Sequence, residues 1–166
     1  LSRLNKLNRE EFSSIVGPVF EHSSWIAEKV WPKKPFTGIQ ELHSAMCDVV
    51  RDAGLEKQLA LIRAHPDLVG RAALSGTLTR ESTNEQAGAG LNKLSPGEIS
   101  LFQKQNEAYR SKFGFPFVIC ARMNKKEAIL AGFERRLQNT TEQEVYIALE
   151  EIFKIAEFRL RDLISD

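Results

Sequence analysis

The sequence predicts an all-α protein, a single-domain bundle of about eight helices with one extended buried segment at 115–121. Three observations carry that prediction. Apolar residues recur at three- and four-residue spacing along most of the chain, which is the period of a helix face. Turn residues such as Gly17-Pro18, Pro32, Pro35, Gly54, Pro66 and Gly114 cut the periodic stretches into short lengths. Helix start signals recur, with Ser95-Pro96-Gly97-Glu98 and Thr141-Glu142-Gln143-Glu144 both reading as capping boxes.

Asn8 reads as the cap of the first helix, with Glu10 and Glu11 in its first turn and Phe12, Ile15 and Val16 on its apolar face. A second pattern runs through Trp25, Ile26, Val30 and Trp31. Thr37 is placed to cap the third, whose stripe is Ile39, Leu42, Met46, Val49 and Val50. Leu55, Leu59, Ile62 and His65 form the next stripe, and Pro66 stops it. Residues 70–79 read as irregular. Thr79 caps a helix bearing Ser82, Glu85 and Gln86, ended by Gly88 and Gly90. Ser95 starts a helix carrying Phe102, Asn106 and Tyr109 to Phe113, with Gly114 as its stop. Asn124 is placed to cap a helix through Ile129, Phe133 and Leu137. The last helix follows Thr141 and carries Val145, Leu149, Ile152, Ile155, Ala156 and Leu163. Between Gly114 and Asn124 lies the apolar run Phe115 to Ala121. It contains Pro116 and is too short for a helix, so its backbone groups need partners from elsewhere.

The chain has 166 residues, which fits one domain over 1–166. A 42% apolar and 27% charged composition is that of a globular protein, and a net charge of +1 offers no footprint for nucleic acid or an anionic membrane. No apolar run approaches the ~20 residues of a membrane span. The chain opens at Leu1 with no signal-peptide core, as a trimmed chain or excised domain would. Cys47 and Cys120, far apart in sequence, read as buried reduced thiols.

Three groups of residues could carry chemistry. His65 is either a helix-terminal core histidine or a general acid/base. Ser82, Glu85 and Gln86 share a helix face by their spacing; Ser82-x-x-Glu85 also fits a capping box. Arg159 interrupts the apolar stripe of the last helix. A guanidinium there is either paired with an acid on a neighbouring helix or a clamp for a carboxylate or planar carbonyl. His22 and His43 read as structural or solvent-facing. No pair of Cys or His residues has metal-ligand spacing, and no phosphate-cradling glycine loop is present.

Four stretches together resemble one family: H-P-D-L-V-G-R at 65–71 with S-G-T-L-T at 75–79, E-S-T-N-E-Q at 81–86, F-G-F-P-F-V-I-C-A-R at 113–122, and A-E-F-R-L-R-D-L at 156–163. The chain resembles the 2-oxo-4-hydroxy-4-carboxy-5-ureidoimidazoline (OHCU) decarboxylases, which complete urate breakdown to S-allantoin. The resemblance spans nearly the whole chain. It implies an all-α lyase that needs no cofactor or metal and works as a homodimer. It makes His65 the catalytic histidine, with Pro66 beside it and Glu85 as its partner. Ser82, Thr83, Asn84, Glu85 and Gln86 become a substrate-contacting turn. Phe117, Val118, Ile119, Cys120 and Ala121 supply backbone to the substrate ring, and Arg159 holds the substrate.

The start F-E-H-S-S-W-I-A-E at 20–28 is closer to bacterial relatives, some fused to urate oxidase. The chain ends I-S-D rather than in a peroxisomal tripeptide, so the expectation is a bacterial, cytoplasmic protein, coupled in function to urate oxidase and hydroxyisourate hydrolase. The chemistry suits the residues. The substrate carries a carboxylate and a hydroxyl on one carbon, and losing carbon dioxide leaves an enolate-like carbanion to be protonated on one face. An all-α binding or adaptor module that kept the pocket without catalysis is the competing expectation; the His65 and Glu85 pair argues against it.

Overall fold

The computed structural model describes residues 1–164, Ala72 through its backbone alone. The end of the chain at Ser165 and Asp166, and with it the expectation about a C-terminal signal, lies outside the described residues. Among the described residues there are nine α-helices and no strand. None of the helices is long and apolar enough to cross a membrane. The chain gathers into two compact units: Leu1–Ala64 together with the stretch from Phe153 onward, and His65–Ile152.

The first unit begins with α1 (Arg9–Val16), α2 (Trp25–Val30), α3 (Ile39–Arg51) and α4 (Leu55–Ala64). The Asn8 side chain accepts from Glu11 N at 2.9 Å while the Glu11 carboxylate accepts from Asn8 N at 3.1 Å. That reciprocal pair satisfies two orphan donors and fixes where α1 starts. Helix α1 packs on α2, α2 on α3, and α3 on α4. Phe12, Val16, Ile26, Val30, Leu42, Met46 and Val50 are fully buried, as the helical spacing requires. The cap of α3 is Gly38 rather than Thr37. Glu41 folds back to accept from both the amide and the hydroxyl of Thr37, at 2.7 and 2.8 Å, so the threonine is held by the helix instead of capping it.

The second unit holds α5 (Arg71–Ser75), α6 (Arg80–Gly88), α7 (Pro96–Phe113) and α8 (Lys126–Arg136), and the start of α9 (Thr141–Leu163), which continues into the first unit. Helix α5 lies inside the stretch 70–79 that periodicity reads as irregular; one short turn of helix is too brief to show a period. Helix α7 starts at the expected capping box, with Ser95 Oγ accepting from Glu98 N at 3.2 Å, and stops at Gly114, whose φ of 78° is the left-handed turn glycine makes cheaply. It packs on α8. Its buried stripe is Phe102, Asn106, Tyr109 and Phe113. Tyr109 meets Phe117 edge-on at 5.2 Å, and Phe117 stacks on Phe133 at 3.9 Å.

Two start signals shift by one residue. Lys125, not Asn124, caps α8, because the Asn124 amide is turned onto the Cys120 carbonyl at 2.9 Å. The box before α9 joins Thr140 and Gln143, at 3.2 and 2.9 Å, rather than Thr141 and Glu144. The shift puts Glu144 on the inner face of α9, where it is 0% exposed.

Candidate functional site

His65 follows directly on α4, because Pro66 cannot continue the helix. It is only 6% exposed and its Nε2 is buried. The chain beyond it makes a tight loop. Val69 has φ of 55°, a left-handed conformation that a β-branched residue adopts only at a cost of about 1–3 kcal/mol. At Gly70 a Cβ would lie 2.7 Å from the Asp67 Cβ, so only glycine fits the close approach. Four side-chain hydrogen bonds hold this loop. Val69 N donates to Gln86 Oε1 at 3.1 Å, and Gln86 Nε2 donates to Asp67 O at 3.4 Å. Asn106 Nδ2 donates to Leu68 O at 2.7 Å, and Arg110 Nη2 to Asp67 Oδ1 at 2.9 Å.

Helix α6 supplies the polar face next to this loop. Thr79 Oγ1 accepts from Ser82 N at 3.3 Å, so Thr79 is the cap and Ser82 lies inside the helix. The capping alternative for Ser82-x-x-Glu85 is thereby removed. Ser82, Glu85 and Gln86 are buried together, as their spacing requires, while the side chains of Thr83 and Asn84 are exposed. Thr83 Oγ1 donates back to Thr79 O at 2.8 Å. Thr83 and Gln86 also line a cavity of about 350 Å³ with Val69, Leu78, Leu91 and Ile99.

The segment Phe115 to Ala121 is buried throughout and extended up to Cys120; Ala121 opens the 3-10 turn Ala121–Met123. Helix α6 packs on that turn. Some of the segment's backbone groups find partners in the second unit. Arg136 Nη1 donates to Val118 O at 2.6 Å. Cys120 N donates to Glu151 Oε1 at 3.4 Å, and Cys120 O accepts from Asn124. The amides of Phe117, Val118 and Ile119 have no hydrogen-bond partner among the described residues, although all three residues are buried. A buried amide without a partner is expensive, so three in succession make this stretch the candidate donor set for a small ligand.

A buried polar cluster backs the segment. The Arg136 guanidinium lies 4.2 Å from the centre of the Phe117 ring. Its Nε donates to Glu144 Oε1 at 2.7 Å, and the same oxygen accepts from the Tyr109 hydroxyl at 2.6 Å. Asn139 Nδ2 takes the other Glu144 oxygen at 2.9 Å. Burial, and then the hydrogen bond to Glu144, push the Tyr109 phenol far above its usual range, so it stays a donor. Burial also pushes the Cys120 thiol up, helped by the fields of Glu151 and Glu85. Glu85 is therefore close to the extended segment, and Cys120 is a thiol there, not a thiolate nucleophile.

His65, Pro66, the buried face of α6 and the segment 117–121 all belong to the second unit. Arg159 belongs to the first unit. It is 5% exposed, and its Nη2 donates to Glu21 Oε1 at 3.1 Å and its Nη1 to Pro18 O at 3.4 Å. His43 has Nε2 2.8 Å from Phe153 O, a structural contact, and the His22 side chain is 70% exposed. Cys47 and Cys120 are both free and buried, as expected. Among the described residues no group of three His, Cys, Asp or Glu side chains is placed to hold a metal ion.

Sequence reasoning missed Arg136, Glu151 and the role of Asn106. A signal for two of them was present. Ile129, Phe133 and Arg136 are spaced four and three apart, as are Phe102, Asn106 and Tyr109, so each polar residue interrupts an apolar stripe just as Arg159 does.

A helical protein with a buried histidine, a buried carboxylate and an extended backbone with open amides is equipped for acid–base chemistry on a small polar molecule. Comparison with known proteins makes the class particular. The chain belongs to the OHCU decarboxylase family, whose model matches residues 5–161. It is 42% identical over 165 residues to a 2-oxo-4-hydroxy-4-carboxy-5-ureidoimidazoline decarboxylase of Haloferax volcanii, covering 99% of this chain and 96% of that one. It is 40% identical to a uric acid degradation bifunctional protein of a Bacillus species, covering all of this chain but 32% of the relative. The fold matches a crystal structure of an OHCU decarboxylase in the presence of (S)-allantoin, with a TM-score of 0.72 at 28% identity, covering 89% of this chain and 96% of that one.

Proposed function

We propose that this chain decarboxylates 2-oxo-4-hydroxy-4-carboxy-5-ureidoimidazoline to S-allantoin, with His65 and Glu85 as its acid–base pair. The observation that carries the reading is the run of unpartnered amides at the buried residues Phe117, Val118 and Ile119, in the unit that also buries His65 and Glu85. The carbon–carbon bond to the carboxylate breaks and carbon dioxide leaves. The electron pair moves into the ring, where amide donors stabilise the charge. The hydroxyl gives up its proton as it becomes a carbonyl, one proton is delivered to one face of the neighbouring carbon, and one goes to the ring nitrogen that received the electron pair. The net change is one carbon dioxide lost and one proton gained.

His65 is the group for the proton transfers, because imidazole changes charge near neutral pH. Glu85 orients it and stabilises its charged form. Ser82, Gln86 and Pro66 shape the site, Thr83 and Asn84 contribute through the backbone of α6, and Arg159 takes part in holding the substrate. The same resemblance carries a homodimer, a cytoplasmic setting and a functional link to the enzymes that oxidise urate and open its product.

The test is turnover of intermediate freshly generated by urate oxidation, with the handedness of allantoin followed by circular dichroism. Stereoselective formation of S-allantoin that survives a chelator is expected. Binding of allantoin without any acceleration over the spontaneous reaction would leave a binding module instead.

A further inference from the structure

We propose that Asn106 is a positioning residue for His65, acting through the loop 67–70. The inference rests on the reading of His65 as the acid–base group. Asn106 is on α7, 93% enclosed by the relation of its 7% exposure, and touches neither His65 nor Glu85 by any hydrogen bond. Its amide nitrogen donates to Leu68 O at 2.7 Å, the shortest of the bonds that hold the loop. Its amide oxygen is buried with no hydrogen-bond partner. An asparagine that leaves half of its amide unsatisfied is a poor way to stabilise a core. What it supplies is the donor.

The loop needs that donor. Val69 is held at φ of 55°, a conformation that a valine leaves when it is free to. Gly70 closes against Asp67 with no room for a side chain. Gln86 grips the loop from α6 at Val69 N and Asp67 O, and Asn106 grips it from α7 at Leu68 O. The three bonds fall on three successive residues, and His65 is attached to the first of them through Pro66 alone. Proline has one free backbone angle fewer than other residues, so a displacement of Asp67 passes to His65 with little damping. A misplacement of about 1 Å at a reacting group can cost about a hundredfold in rate.

The experiment compares Asn106→Leu, which keeps the branched shape without the amide, with Asn106→Ala, which removes the side chain and carries the test if the leucine variant does not fold. Allantoin titration first counts competent sites, and kcat is expressed per site. Both variants are expected to lose about tenfold or more in kcat while KM and the allantoin Kd stay within about threefold. His65→Asn is run beside them. If His65→Asn is inactive and the Asn106 variants keep the parental kcat per site, the positioning role is wrong and the reading of His65 stands. A loss that disappears once competent sites are counted marks a structural role and also overturns the proposal. If His65→Asn itself keeps the parental rate, the acid–base reading fails first and takes this inference with it.

Discussion

The guanidinium of Arg136 reaches past the face of Phe117 and donates to the carbonyl oxygen of Val118 at 2.6 Å. A charged donor on that carbonyl turns the peptide so that its oxygen faces the core of the second unit. The same cation neutralises Glu144, which is 0% exposed. Stability and the conformation of the extended segment are therefore tied to one buried ion pair.

Arg136→Met should remove both. Breaking a buried pair from one side leaves the other charge uncompensated and costs about 3–5 kcal/mol. Urea denaturation measures it. Adding Glu144→Leu should recover a good part of the loss, because the orphaned carboxylate goes with it. A single variant that loses less than about 1 kcal/mol would mean that Glu144 is served well enough by Tyr109 and Asn139.

His65→Asn should leave the helical signal and melting behaviour near those of the parent and abolish stereoselective turnover. A general acid/base contributes about 10²–10⁴-fold, so a rate within about threefold of the parent removes His65 from the mechanism. Glu85→Gln should lose less. Its amide can still orient the imidazole but stabilises the charged form poorly. Equal losses in the two variants would make Glu85 a proton carrier itself.

Arg159 separates two roles by two substitutions. Lysine keeps the charge facing Glu21 but loses the planar fork, which matters for a carboxylate or a carbonyl–amide edge. If Arg159 holds substrate, Arg159→Lys folds and binds allantoin about ten- to a hundredfold more weakly, the worth of a charged hydrogen bond. Arg159→Met removes the buried guanidinium from the Glu21 carboxylate and should lower the melting temperature. Parental allantoin binding by Arg159→Lys would confine Arg159 to its ion pair with Glu21.

The Cys120 thiol is pushed up, first by burial and then by Glu151 and Glu85. Its neutral form is favoured by folding. The stability this contributes is fully present below the thiol pKa of the unfolded chain, about 8.5, and is lost as pH rises through the raised folded value. Tyr109 adds a contribution of the same sign at still higher pH. Melting temperature should accordingly fall on the alkaline side, and Cys120→Ser should flatten the first part of that fall. Iodoacetamide should modify Cys120 at pH 8 only after unfolding. Rapid alkylation of the native protein would show that the thiolate is accessible.

Much of the fold was legible because local signals and burial agree. Asn8, Thr79 and Ser95 cap the helices they were expected to cap, and Phe12, Met46, Phe102 and Ile152 are buried on the stripes that spacing assigns them. Ser82, Glu85 and Gln86 share a buried face for the same reason. The residues alone marked His65 as an acid/base candidate and 115–121 as a buried extended segment; motif likeness gave them their expected roles, and the comparisons support the family it pointed to.

Tertiary structure decided the rest. Even the short-range bonds that move the caps from Thr37, Asn124 and Thr141, made by Glu41, Cys120 and the Thr140–Gln143 pair three or four residues apart, are not ranked against their competitors by spacing alone. Nor does local pattern say that Gln86 and Asn106 meet on the loop after His65, or that Arg136 reaches Val118. Those partners are 17, 38 and 18 residues apart. The sequence alone determined helix faces, because a face depends only on neighbours three and four positions away. Which polar group on a buried face finds which partner depends on how helices dock, and a buried donor or acceptor takes whatever partner the docked helices bring within reach.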